Sequence, residues 1–204
     1  DRETTTIAKP TPPTSDSTCA LPRPLATRDG ALCVRVGKRD GTLLCERCVA
    51  ALRPADGRRC LRCWMPLRHG DLCAHCVAAP PSFAELRAAY VMEGGARRLV
   101  HGLKYDGLTS LAEPMGRLIF ERLGEEHADV VLPLPLHRSR ARSRGYNQAA
   151  LLAREIAWRA GLPFDTRAAW RTRATAPLVK TMHREERLAI VRGAFAASRE
   201  AVEG

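Results

Sequence analysis

The sequence predicts an α/β protein headed by a small cysteine-rich unit, and three observations carry that prediction. Three Cys-x-x-Cys pairs crowd residues 45–76. Pro80-Pro81 then marks a stiff linker and a domain boundary. Beyond it, residues 128–160 (ADVVLPLPLHRSRARSRGYNQAALLAREIAWRA) read as strand, basic loop and helix.

The bulk composition agrees. At 204 residues, 45% hydrophobic and 27% charged, the chain is long enough for one full domain and a small one. Thirty-three Lys and Arg against 22 Asp and Glu leave a net charge of +11. That excess points to nucleic acid, a phosphorylated metabolite or another anionic surface as partner, unless it serves solubility alone. No apolar run is long enough to span a bilayer, and residues 1–29 lack the apolar core of a secretory signal. Eight cysteines in such a chain read as reduced, metal-binding residues of the cytoplasm rather than as disulfides.

Taken in order, residues 1–29 are rich in Thr, Pro and Ser and predict a disordered leader. Residues 30–79 hold the knuckles Cys45/Cys48, Cys60/Cys63 and Cys73/Cys76. Cys60, Cys63, Cys73 and Cys76 make a complete four-thiolate set, the pattern of a closed structural Zn²⁺ site in a ribbon fold. Cys33, Cys45 and Cys48 outline a first ribbon that lacks one ligand, because Gly30 stands where the partner cysteine belongs. Cys19 is one source of a fourth thiolate. An empty site, or completion by solvent or a non-cysteine ligand, are the others. Arg47, Arg53, Arg58, Arg59, Arg62 and Arg68 interleave the knuckles and, with Trp64, offer either a nucleic-acid grip or a solvated basic surface.

From residue 82 the pattern becomes α/β. Residues 86–92 suggest a strand, Gly94-Gly95 breaks it, and residues 96–104 read as a helix with Lys104 at its C-terminal end. Thr109 or Ser110 can cap a second helix whose apolar face is Leu111, Met115, Leu118 and Ile119, with Pro114 near its first turn. Val130-Val131-Leu132 is apolar on both faces, as a strand buried in a parallel sheet would be, and Pro133 and Pro135 end it. A loop follows with His137, Arg138, Arg140, Arg142 and Arg144 within eight residues. Asn147 is a good N-cap for the next helix and Gly161 a good C-terminal stop. Such a strand, loop and helix start commonly present an anion site; solvated surface arginines are the alternative. A short strand within residues 162–170 and a charged helix over residues 183–191 complete the reading.

LPLPLH followed by RGYNQAALLA closely resembles the central signature of the ComF (competence protein F) family, whose members are phosphoribosyltransferase-like. Leu103-Lys104-Tyr105, Arg171-Thr172-Arg173-Ala174-Thr175 and Gly193-Ala194-Phe195 are similar to that family's other markers, in the same order, and the likeness runs from about Cys33 to Phe195. Leu178 and Ile190 depart from it, standing where the family has Gln and Asn. The resemblance implies a double zinc ribbon over residues 30–79. It further implies a partial type I phosphoribosyltransferase-like parallel sheet with helices over residues 82–204. Lys104, Arg138, Arg142, Arg144, Asn147 and Gln148 become the candidates for holding phosphate. Phosphoribosyl pyrophosphate or single-stranded DNA is the implied ligand, a competence helicase a possible partner, and DNA uptake in natural transformation the implied setting.

One part of that pattern is missing. The transferase loop needs an acidic pair for the ribose hydroxyls, often with Mg²⁺, and a Thr/Gly-rich turn for the 5-phosphate. The sequence has no Asp-Asp pair and no Thr-Thr-Gly turn. The domain is therefore expected to be incomplete at its C-terminus, with Mg²⁺ relevant only to a full-length transferase site and no transferase activity from these residues alone. A non-catalytic zinc-ribbon module that binds single-stranded nucleic acid, or an inactive truncated paralogue, is the competing expectation.

Overall fold

The computed structural model describes residues 24–27, 30–36, 42–124, 128–176, 178 and 183–199. Three short strands open it, β1 (Pro24–Thr27), β2 (Gly30–Val36) and β3 (Thr42–Leu44), paired antiparallel in the order β1-β2-β3. Residues 24–27, expected to lie in the leader to Asp29, pair with β2 instead; residues 1–23, 28 and 29 lie outside the described residues. Helix α1 (Glu46–Ala50) follows β3 directly. The second cysteine region carries α2 (Ala74–Ala78). The expected strand at residues 86–92 is reduced to one antiparallel bridge, Pro54↔Tyr90.

The centre is helical. Helix α3 (Gly94–Tyr105) buries Leu99 and Leu103 on one face. A 3₁₀ turn at Thr109–Leu111 leads into α4 (Ala112–Leu123), with Pro114 in its first turn where no intrahelical N–H is needed. Leu111, Met115 and Leu118 are buried as the periodicity predicts. They join Leu44, Leu52, Leu99 and Leu103 in a single core that links β3 to the helices. Leu103 is only 1% exposed, so truncating it would cost about 2–5 kcal/mol.

Helix α6 (Gln148–Ala160) packs on α4 and buries Ala153 and Ala157, small residues that let the two helices approach. Gly116 marks the closest point: a Cβ there would lie 2.5 Å from Glu155 Cβ. Both sequence stops hold, for different reasons. Asn147 Oδ1 accepts from Ala149 N–H at 3.0 Å, and Gly161 takes φ +66, a left-handed conformation open to glycine.

Two expectations are corrected. The basic loop is a helix, α5 (Arg138–Arg144), capped by the His137 ring and ended by Gly145. RSRARSR contains no helix breaker, and arginine and alanine are strong helix formers. The parallel sheet is not formed among the described residues. The Val130-Val131-Leu132 run makes one parallel bridge, Val131↔Phe164, held by Val131 N–H to Pro163 C=O at 2.9 Å. Pro133 and Pro135 lack the N–H groups that would lengthen it. Strand β4 (Ala169–Arg171) pairs instead with β5 (Phe195–Ala197), antiparallel, across α7 (Arg184–Val191). The architecture is mixed, mostly helical with small sheets. Among the described residues, no helix is long and apolar enough to cross a membrane.

A cysteine centre and a cationic surface around helix α5

The second pair of knuckles closes on itself. The turn at Cys60 is built by Trp64 N–H to Cys60 C=O at 2.9 Å and Cys60 N–H to Met65 C=O at 2.8 Å. Trp64 occupies the left-handed region at φ +61, a slot that costs a bulky residue strain. Cys73 stands at the N-terminal boundary of α2, without a side-chain capping bond, and α2 carries Cys76. The Sγ atoms of Cys60, Cys63, Cys73 and Cys76 all lie within 4.8 Å of one another, and Cys63 Sγ is 3.6 Å from Cys73 Sγ. A tetrahedron with Zn–S near 2.3 Å has edges of about 3.8 Å, so this set could hold Zn²⁺ with little adjustment. Burial pushes the Cys60 thiol up, but N–H groups of Cys73, Cys63 and Arg62 outweigh it and bring the thiol down to about 6. Burial pushes Cys76, which faces the other three sulfurs, up to about 12. Such opposed demands on Cys60 and Cys76 within one cluster suit a site where a cation settles both as thiolates.

The first set is partly visible. Cys45 caps α1, and its Sγ accepts from Cys48 N–H at 3.4 Å, the local form of a knuckle. Strand register sets Val34 opposite Leu44, each one residue from a cysteine of the first set, Cys33 and Cys45. The side chain of Cys33 and all of Cys19 lie outside the described residues.

The phosphate candidates fall on both sides of α5. Arg138 and Asn147 line a cleft of about 830 Å³ with His137, Trp170, Arg171 and Thr172. Lys104 and Arg144 share a separate hollow of about 370 Å³ with Tyr105, Ser143 and Tyr146. Gln148 accepts from the Arg144 guanidinium. Arg142 lies exposed on α5 and lines neither space. Tyr146 O–H ties the hollow to the core by donating to Leu103 C=O at 2.6 Å, and Asn147 Nδ2 holds the exposed Leu134 by donating to its C=O at 3.1 Å.

The electrostatics are one-sided. Burial, and then Arg144 beside it, hold the Lys104 ammonium below the usual lysine range. Burial, then Arg140 and Arg173, lower Arg171 likewise. Arg140 donates to Thr175 C=O at 2.6 Å and Arg171 to Thr175 Oγ1, which draws their guanidiniums to one turn, and Arg171 Nε has no partner. Among the described residues no carboxylate lines either space. An arrangement of this kind stabilises a bound anion and disfavours a bound cation.

Lys104, Arg138, Arg144 and Asn147 are sequence candidates that line these spaces, whereas Trp170, Arg171, Tyr105 and Tyr146 are not among those candidates. Trp170 and Arg171 reach α5 only because the fold carries β4 there, and Tyr105 and Tyr146 stand beside the candidates Lys104 and Asn147 in the sequence. The alternation Arg171-Thr172-Arg173 next to an exposed tryptophan was the available signal.

Against curated proteins the chain is similar to DNA utilization protein YhgH of Shigella flexneri, of Salmonella typhimurium strain LT2 and of Escherichia coli K12. Each is 29% identical over 141 residues, which is 65% of this chain and 62% of the relative. The chain thus spans less than two thirds of the relatives it matches. No protein-family model and no solved structure matches it.

Proposed function

We propose that this chain takes part in DNA utilization as a ComF-like, phosphoribosyltransferase-like protein that binds phosphate carried on ribose or deoxyribose. The cleft between α5 and β4 is its binding site. One observation carries the reading: Arg138, Arg171 and Asn147 converge on a space large enough for a nucleotide, with no carboxylate among the described residues of its lining. The relatives' name and the order of the sequence markers agree with it. Phosphoribosyl pyrophosphate and single-stranded DNA both present that chemistry. In this reading Cys60, Cys63, Cys73 and Cys76 hold a structural Zn²⁺, and Cys33, Cys45 and Cys48 contribute to a second site. Residues 30–79 form the ribbon unit and residues 82–204 the phosphate-binding unit.

Binding without turnover is the form the lining favours. Ribose hydroxyls and Mg²⁺ need carboxylates, and among the described residues the cleft offers only cationic, imidazole, hydroxyl, amide, indole and apolar groups. The test is titration of the purified, zinc-loaded chain with phosphoribosyl pyrophosphate and, separately, with labelled oligothymidylate. A pyrophosphate-release assay with purine and pyrimidine bases runs alongside. Saturable, salt-sensitive binding with no pyrophosphate release is the expected result. No binding of either ligand at about 50 mM salt refutes the reading, and pyrophosphate release refutes its non-catalytic part.

A further inference from the structure

We infer that a single strand of nucleic acid lies across α5, passing from the Lys104–Arg144 hollow over Arg142 to the Arg138–Arg171 cleft, where a base stacks on Trp170. The cysteine ribbon takes no part in the contact. This rests on the nucleic-acid arm of the function proposed above and adds a place, a direction and a second subsite to it.

The first support is how each arginine is used. In the ribbon, Arg53 pairs with Glu93, Arg58 with Asp71, and Arg59 and Arg62 donate to the carbonyls of Asp56 and Phe83. Arg122 pairs with Asp56, and Arg159 with Glu113 at 3.4 Å. Around α5 the bonds that Arg140, Arg144 and Arg171 make go to Thr175 and Gln148, none of them to a carboxylate. Among the described residues, Lys104, Arg138, Arg142, Arg144 and Arg171 have no carboxylate partner. Clustered like charges of this kind raise the energy of the free protein and are relieved by a polyanion.

The second support is continuity. Helix α5 itself supplies Arg138 and Ala141 to the cleft and Ser143 and Arg144 to the hollow. Its seven residues span about 10 Å, so the two spaces are neighbours along one rod. Arg138 and Arg142 are four residues apart and share a face. A small phosphorylated metabolite fills the cleft alone and leaves the hollow unused; a strand uses both.

The third support selects single strands. Each space carries an exposed aromatic ring: Trp170 is 47% exposed in the cleft and Tyr105 49% exposed at the hollow. Unpaired bases stack on such rings, whereas a duplex offers them only its backbone. The Arg144 guanidinium already lies 5.5 Å from the Tyr105 ring centre, which holds it at the edge of the path.

The experiment is fluorescence anisotropy with labelled oligothymidylate of about twelve nucleotides, a matched duplex, and phosphoribosyl pyrophosphate as small-ligand control, each over a salt series. Every variant is first matched to wild type in zinc content and thermal midpoint. Trp170→Ala should weaken single-strand binding about five- to hundredfold. Lys104→Gln with Arg144→Gln should lower the salt slope by about 1.4, near 0.7 for each lost phosphate contact, while leaving phosphoribosyl pyrophosphate binding unchanged. Arg68→Gln, an exposed ribbon change, should alter nothing. If wild type binds the strand but the Lys104/Arg144 pair retains its full slope, or duplex binds as tightly as single strand, the track is wrong and the phosphate-binding reading survives. If wild type binds no strand at low salt, the nucleic-acid arm itself falls and takes the track with it.

Discussion

The ribbon side of this molecule and the α5 side carry the same arginine-rich composition and use it in opposite ways. On the ribbon side guanidiniums close onto Glu93, Asp71 and backbone carbonyls, and the cysteine cluster and the leucine core supply the order. On the α5 side Arg140, Arg144 and Arg171 bond to Thr175 and Gln148, none of these bonds going to a carboxylate, and the local core is thin, its buried apolar side chains among the described residues being Pro133, Ala153, Ala157, Ala168 and Ala194. Net charge alone cannot separate these two uses. Partners can, since an arginine already bonded to a carboxylate has little to offer a phosphate.

The change that separates the regions most is metal removal. If Cys60, Cys63, Cys73 and Cys76 hold Zn²⁺ as proposed, chelation should unfold residues 54–79, because structural Zn²⁺ sites contribute on the order of 10–16 kcal/mol at neutral pH. Hydrogen exchange should then rise over residues 54–79 and stay low in α4 and α6, where the packing is independent of the cysteines. Equal loss of protection in α4 and α6 would show that the two regions are one cooperative unit. The next largest effect is Gly116→Ala, which pushes a methyl group to 2.5 Å from Glu155 Cβ and should destabilise by about 1–3 kcal/mol in denaturant unfolding. A neutral result there would mean that α4 and α6 separate easily.

A smaller effect tests the charge argument at the hollow. The lowered lysine pKa means that the folded chain releases the Lys104 proton at lower pH than the unfolded chain, whose value is near 10.5. Stability contributed by this group therefore rises with pH between those two values. A phosphate beside Lys104, Arg144, Tyr105 and Tyr146 favours the ammonium, so affinity for a strand should fall as pH rises through the lowered value. Lys104→Gln should flatten that pH profile; an unflattened profile places the titrating group elsewhere. Smallest of all is Arg58→Gln. Its pair with Asp71 is 58% and 79% exposed, worth about 0–1 kcal/mol, and neither stability nor strand binding should move measurably. A clear loss of binding would transfer the contact surface to the ribbon and overturn the comparison.

Much of the architecture was legible in the residues because the signals were local. The four cysteines at Cys60, Cys63, Cys73 and Cys76 meet as their spacing requires, since a Cys-x-x-Cys turn directs both sulfurs to one side. Leu111, Met115 and Leu118 are buried as a 3.6-residue period demands, and Asn147 and Gly161 bound α6 by side-chain capping and left-handed backbone freedom. Tertiary structure decided the rest. Whether Val130-Val131-Leu132 joins a sheet depends on a neighbour with free N–H and C=O groups, and the described chain supplies only Phe164. Whether residues 138–144 form loop or helix turned on the absence of breakers, a cue weaker than their charge. That Arg171 and Trp170 share a cleft with Arg138, while Lys104 and Arg144 share another space, follows from how β4 and α3 pack around α5. Composition sets how many arginines there are; only the folded chain determines which of them find carboxylates, because that depends on distances between residues far apart in sequence.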